Sequence, residues 1–145
     1  AMLCAGTLVE GWACYATDLA EEIGMLTPLE MLSEQQSRAR MAARAVADAA
    51  LHTGAMTLDE TAAFYEREAG MPASAARGEA VKNSMFPGGA MMYLIGTQAI
   101  HDLRRRLAAR AGFSLKAFHD KFLSFGTIPA AMIAEEMTEE LGAGS

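Results

Sequence analysis

The feature that most constrains this chain is its helix punctuation. Thr27-Pro28-Leu29-Glu30 and Thr57-Leu58-Asp59-Glu60 both have the Thr-x-x-Glu form of a capping box, and each precedes an apolar-periodic run. Such a box satisfies backbone donors that the first turn of a helix leaves orphaned, and Pro28 stands where its missing N–H costs nothing. Glycines recur as stop signals at Gly24, Gly54, Gly70, Gly112 and Gly126. The punctuation predicts helices over about 3–23, 28–53, 58–69, 74–85, 90–111, 115–125 and 129–141. No segment alternates with a period of two and β-branched enrichment, so no strand is expected. The expected fold class is all-α, a single helical domain of six to seven helices over 1–141, with a disordered tail at 142–145.

The 145 residues are 52% hydrophobic and rich in Ala and Met, which suits packed helices and argues against disorder. A formal net charge of −6 argues against a nucleic-acid surface. No apolar run approaches the ~20 residues of a membrane span. Cys4 and Cys14 fall in one predicted helix, about 15 Å apart along its axis, too far to form a disulfide. The chain starts inside a helical pattern and without a basic signal region, as a fragment of a longer protein would; its compartment, cytoplasmic or exported, stays open. No HExxH motif, G-x-S-x-G elbow or Gly-rich phosphate loop is present.

Three local patterns could carry chemistry. In the first helix Leu8, Trp12, Tyr15, Leu19 and Ile23 form the expected core stripe. Glu10 lies opposite, among Gly6, Ala13, Cys14 and Thr17, where small neighbours would let another helix approach. Glu10 is either a carboxylate aimed into an inter-helix metal site or an ordinary surface residue. In the second helix Gln36, Arg40, Arg44, Asp48 and His52 recur every four residues, so Arg44–Asp48 and Asp48–His52 can pair. That ladder either lines a cleft, with Arg44 or His52 meeting a substrate carboxylate or oxyanion, or is a solvated row of ion pairs. In the third, Tyr93 has Gly89 and Gly96 as helical neighbours, which suggests close backbone approach. Arg104-Arg105-Arg106 reads as a solvated face, and His101 and His119 lack partners at metal-ligand spacing.

These residues together resemble a known family. Glu10-Gly11-Trp12-Ala13-Cys14-Tyr15-Ala16 resembles the EGWALYxE segment of the bacterial family catalogued as domain of unknown function 885 (DUF-885). Arg44 through His52 resembles its R-L-V-V-D-T-G-[LI]-H segment, and Pro87 through Gly96 its P-G-Q-A-x-S-Y-x-I-G segment. Ile100, Leu103-Arg104, Phe118-His119-Asp120, Leu123 and Gly126 resemble its closing pattern. Order and spacing match from Glu10 to about Pro129.

The resemblance implies the C-terminal portion of a larger helical, zincin-like fold related to gluzincin peptidases, whose HExxPGHH motif lies upstream. It implies Glu10 as a zinc ligand, Tyr93 and His52 as catalytic candidates, and Arg44 and Asp48 as substrate-binding candidates. It implies zinc in the full-length parent, with none expected on this chain alone. The implied partners are the missing N-terminal half, short peptide substrates and, through an uncovered face, a second copy. The sequence departs from the family at Gly89 (family Gln), Met92 (Ser), Leu94 (polar), Ala49-Ala50 (Thr-Gly) and Lys82-Asn83 (Arg-Tyr). Several of these polar positions have become apolar or small, which supports the alternative, a non-catalytic helical structural or interaction domain that has lost peptidase activity.

Overall fold

The described residues form helices joined by short turns, as the punctuation requires. A computed structural model describes residues 5–142, and among them there is no strand. The helices are α1 (Gly6–Glu22), α2 (Pro28–His52), α3 (Leu58–Ala69), α4 (Ala73–Ser84), α5 (Met91–Ala108), α6 (Leu115–Ser124) and α7 (Ala130–Gly142). Leu3, where the first helix was expected to begin, and Cys4 lie outside the described residues. So do residues 143–145 of the expected tail, whereas Gly142 is the last residue of α7.

The helix starts are set locally. Thr27 and Thr57 each accept from the N–H three residues on at 3.3 Å, while Glu30 and Glu60 accept from the cap N–H at 2.8 Å. Those backbone hydrogen bonds hold both glutamates below the usual carboxylate range. Caps of this kind contribute about 1 kcal/mol each. Ser114 caps α6 by accepting from the Ala117 N–H. Gly70 ends α3 in the left-handed conformation, φ +60°. α5 stops at Ala108, three residues before the expected end. There the Arg110 N–H bonds the Leu107 carbonyl at 3.0 Å, a tightened turn that leaves α geometry before Gly112.

Two compact units emerge, one of residues 1–18 and 95–145, the other of 19–94. In the first, Leu8 and Tyr15 of α1 belong to a core with Ile100, Leu103 and Leu107 of α5, Phe118 and Phe122 of α6, and Ile133 and Met137 of α7. The backbones of α1 and α5 touch. A Cβ on Gly96 would lie 1.9 Å from the Thr7 carbonyl oxygen and 2.8 Å from the Gly11 Cα. The close approach expected at Gly96 is therefore made by backbone against backbone. Gly89, by contrast, lies in the turn before α5 and is not a helical neighbour of Tyr93.

Tyr15 is fully buried, and its hydroxyl meets His119 Nε2 at 2.8 Å; Trp12 stacks on Phe122 at 5.7 Å. His101 Nε2 reaches Asp18 at 2.8 Å. Both histidines thus find partners that lie far away in sequence. Burial, helped by the Arg104 charge, pushes His119 below the ordinary imidazole range. A depressed histidine is neutral in the fold, so its contribution is present above about pH 6.5 and lost as pH falls through the folded value. Arg105 is exposed, as expected of a solvated face, but Arg104 lies over the Tyr15 ring, 5.9 Å from its centroid.

The second unit packs α2, α3 and α4 on one another. Its core is Ala43, Ala47, Ala62, Ala76 and Ala80 around Tyr65. Alanines at four-residue spacing on α2 and α4 let the axes come close, and one large ring fills the centre. Ile23, placed on the α1 core stripe by periodicity, is 66% exposed, because α1 ends at Glu22 and the chain turns away through Gly24 (φ +70°).

Candidate functional site

The second unit gathers four of the five sequence candidates. The α2 ladder is exposed at Gln36 and Arg40, half-buried at Arg44, buried at Asp48 and exposed again at His52, so its middle members meet tertiary partners. Asp48 is 1% exposed. Its Oδ1 accepts from the Gly88 N–H at 2.9 Å and from His52 Nδ1 at 2.9 Å, and its Oδ2 accepts from the Ala90 N–H at 2.8 Å. The Pro87-Gly88-Gly89 turn, with Gly88 at φ +78°, presents those amides to one carboxylate. Burial is the largest influence on Asp48 and pushes it up. The two amides and His52 together outweigh burial, and the group sits below the usual carboxylate range.

The expected Asp48–His52 pair is present. His52 Nδ1 also meets the Asp48 carbonyl at 2.8 Å. That backbone bond, opposed by partial desolvation and aided by a hydrogen bond to the Ser84 backbone and by the carboxylate, holds His52 above the ordinary imidazole range. Nδ1 faces two acceptors and thereby carries a proton. A raised histidine stabilises the fold fully below about pH 6.5, and the contribution is lost as pH rises through the folded value.

The other expected ladder pair does not form. Arg44 turns from Asp48 to Glu79 on α4, with Nε 2.6 Å from Oε1. The two atoms are in ionic contact but not aligned as a hydrogen bond, and both are buried without a hydrogen-bond partner. The Arg44 guanidinium also lies over the Tyr93 ring, 5.3 Å from its centroid. The reason is burial. Asp48 is already engaged by two amides that have no other acceptor, and a guanidinium has a longer reach than the next turn of its own helix.

Asn83 closes the arrangement, although in the sequence it stands out only as a departure from the family pattern. It is 4% exposed and donates to the Arg44 carbonyl at 3.0 Å and to the Tyr65 hydroxyl at 2.6 Å. Burial, with the Glu79 charge, pushes Tyr65 up to about 12, so it stays a neutral phenol. Arg44, Asn83, Phe86, Gly89 and Tyr93 line a cavity of about 180 Å³. Chemically, this cavity offers the Arg44 guanidinium, the Lys82 ammonium and the Tyr93 phenol, while the carboxylate-oriented His52 lies outside its lining. Both carboxylate oxygens of Asp48 are engaged, Oδ1 by the Gly88 amide and His52 and Oδ2 by the Ala90 amide.

Glu10 belongs to the other unit, where it is half-buried on α1. Among the described residues no three His, Cys, Asp or Glu side chains come together to hold a metal ion. No helix there is long and apolar enough to cross a membrane.

The family model for bacterial proteins of unknown function, DUF885, matches residues 1–137. No curated protein matches the chain. A crystal structure of a "putative lipoprotein" from Colwellia psychrerythraea is 30% identical with a TM-score of 0.87, over 95% of this chain and 24% of that one. A "putative lipoprotein of unknown function" from Shewanella oneidensis is 29% identical with a TM-score of 0.80, over 93% and 26%. The chain therefore spans about a quarter of the length of the solved structures it resembles.

Proposed function

This chain belongs to the DUF885 family of bacterial proteins of unknown function, and from that premise we propose that it is the C-terminal portion of a zinc-dependent peptidase acting on short peptides, incomplete as a catalyst by itself. The observation that carries the reading is the built wall in the second unit. Arg44, Asp48, His52 and Tyr93 are the positions singled out by resemblance to gluzincin-like proteins. They form two pairs, His52 hydrogen-bonded to Asp48 and the Arg44 guanidinium lying over the Tyr93 ring, and Asp48 ties its pair to the turn before α5.

In this reading Arg44 and Tyr93 face substrate, His52 is the proton-carrying group, and Asp48 positions both His52 and the turn before α5. Glu10 would be one zinc ligand. The described residues do not complete a site with it, so the remaining ligands would come from polypeptide outside these 145 residues. The test is expression together with that polypeptide, followed by elemental analysis and a dipeptide hydrolysis assay. Stoichiometric zinc that is lost in Glu10→Gln is the expected result. Zinc content unchanged by the substitution ends the Glu10 assignment, and a protein without zinc or hydrolysis ends the peptidase reading.

One observation favours the second reading, a non-catalytic interaction module. Ile23, Met25, Leu29 and Leu32, around the start of α2, are 66%, 70%, 76% and 57% exposed. Clustered apolar exposure of this kind marks a covered surface in the working protein. Under this reading the chain self-associates through that strip. Light scattering should then give a mass above the monomer that returns to the monomer in Leu29→Lys. A monomeric wild-type mass at high concentration removes the self-association.

A further inference from the structure

The cavity of about 180 Å³ bounded by α2, α4 and the start of α5 carries an unbalanced charge. It lies wholly within the 19–94 unit. Arg44 and Lys82 both line it and no carboxylate does, in a chain of net charge −6. The one acid a helix turn away from Lys82 is Glu79, and Glu79 is engaged by Arg44. The exposed Lys82 ammonium has no ion-pair or hydrogen-bond partner among the described residues. The Arg44 guanidinium is held from two sides, its Nε 2.6 Å from Glu79 and its carbon 5.3 Å from the centre of the Tyr93 ring. Its Nη1 and Nη2 donate no hydrogen bond to any described residue and, unlike Nε, are not sealed from solvent. Asn83, only 4% exposed, is half satisfied in the same way. Its Nδ2 donates to the Arg44 carbonyl and the Tyr65 hydroxyl, while its Oδ1 accepts from no described residue. Phe86, Met92 and the Tyr93 ring supply apolar wall.

We infer that this cavity seats the C-terminal residue of a peptide. The carboxylate lies on the two Nη atoms of Arg44 with Lys82 beside it, the amide N–H on Asn83 Oδ1, and an apolar side chain against Phe86 and Met92. Two cations without an acid select an anion. A planar guanidinium with both Nη atoms unspent takes a carboxylate bidentately. The apolar wall selects an organic carboxylate over inorganic phosphate. The unpaired Asn83 oxygen selects one with an N–H close to its charge, because a buried acceptor left empty is costly. The volume is that of about six water molecules, room for one residue but not for an extended peptide. Glu79 and Tyr93 already fix the guanidinium, so binding orders little that is not ordered beforehand.

That the ligand is a peptide rests on the peptidase reading, whereas the binding itself needs neither zinc nor hydrolysis. The probe is N-acetyl-L-leucine, titrated into the chain and followed by NMR shifts at Arg44, Lys82, Asn83, Phe86 and Met92. Saturable shifts confined to that cavity are expected, with affinity in the millimolar range usual for so small a ligand (Kd about 1 mM). N-acetyl-leucinamide, which lacks the charge, and inorganic phosphate, which lacks the apolar group, should each bind about tenfold more weakly. 4-Methylpentanoate, which lacks the N–H, should bind about threefold more weakly. Lys82→Glu reverses an exposed charge and leaves the core untouched; it should weaken binding about tenfold. Arg44→Lys keeps a charge facing Glu79 but removes the fork, and should weaken binding by a similar factor. No saturation by about 50 mM N-acetyl-leucine overturns the inference. So does equal binding of the amide or of phosphate, or a Lys82→Glu protein that is folded by circular dichroism and binds like wild type. Binding without hydrolysis by the longer zinc-loaded protein upholds the seat and removes only the peptidase reading; hydrolysis without binding does the reverse.

Discussion

Gly96→Ala should destabilise the protein by about 3 kcal/mol or more, enough to remove much of the 5–15 kcal/mol that holds a typical domain together. The added methyl would be placed 1.9 Å from the Thr7 carbonyl oxygen, and that oxygen is backbone. A flexible side chain could swing aside, but relieving this contact requires α1 and α5 to separate. Separation would open the shared packing of Leu8, Tyr15, Ile100 and Leu103 and weaken the 3.3 Å bond from Thr97 Oγ1 to the Gly11 carbonyl. Gly78→Ala is the matched control, with the opposite sign. Gly78 is an exposed interior residue of α4, and a Cβ there meets nothing within 4 Å. Alanine should therefore stabilise by about 0.5–1 kcal/mol through helix propensity and a less flexible unfolded chain. Thermal and urea unfolding of the two variants decides the matter. If Gly96→Ala unfolds within error of wild type, the helices are not in backbone contact.

Asp48→Ala should cost about 4 kcal/mol and Asp48→Asn about 2 kcal/mol, both measured by urea unfolding. Alanine leaves the Gly88 and Ala90 amides without an acceptor beside a buried position. Asparagine keeps one carbonyl for one amide, but its NH2 faces the other donor. The pH dependence has a definite sign. Asp48 lies below its ordinary value in the fold, so its contribution is present above the unfolded value of about 4 and is lost as pH falls through the folded one. Wild type should lose stability on acidification below about pH 4 more steeply than Asp48→Asn does. His52 should move the other way. Without the carboxylate its raised value falls back toward about 6.5, though not fully, because the Asp48 backbone carbonyl still accepts from Nδ1. A His52 titration unchanged in Asp48→Asn would show that the carboxylate does not orient the ring.

Much of the candidate site is legible in the sequence, up to the point where burial intervenes. Four-residue spacing on α2 correctly offered His52 to Asp48, because neighbours one turn apart on a helix cannot avoid each other. The same spacing offered Arg44 to Asp48, and there it misled. Such pairs are worth only a few tenths of a kcal/mol, less than the penalty of burying two amides without an acceptor. Asp48 went to the amides, and Arg44 went to Glu79 and Tyr93. Nothing near Asp48 in the sequence announces Gly88 or Ala90. Asn83 was equally hidden, since a buried amide linking a backbone carbonyl to a phenol leaves no periodic trace.

The set of helices and most of their ends were written into the local sequence. Caps at Thr27, Thr57 and Ser114 and the left-handed stop at Gly70 act over three or four residues, so the information is complete within each segment. Which polar groups answer one another was settled only on folding. His119 pairs with Tyr15, His101 with Asp18, and Asp48 with the turn before α5. Folding also left Ile23 facing water and set Gly96 against backbone. The physical reason is one of range. A cap is satisfied by its own turn, whereas a buried donor or a missing Cβ is answered by whatever the fold brings within about 3 Å of it, however distant in the chain that partner is.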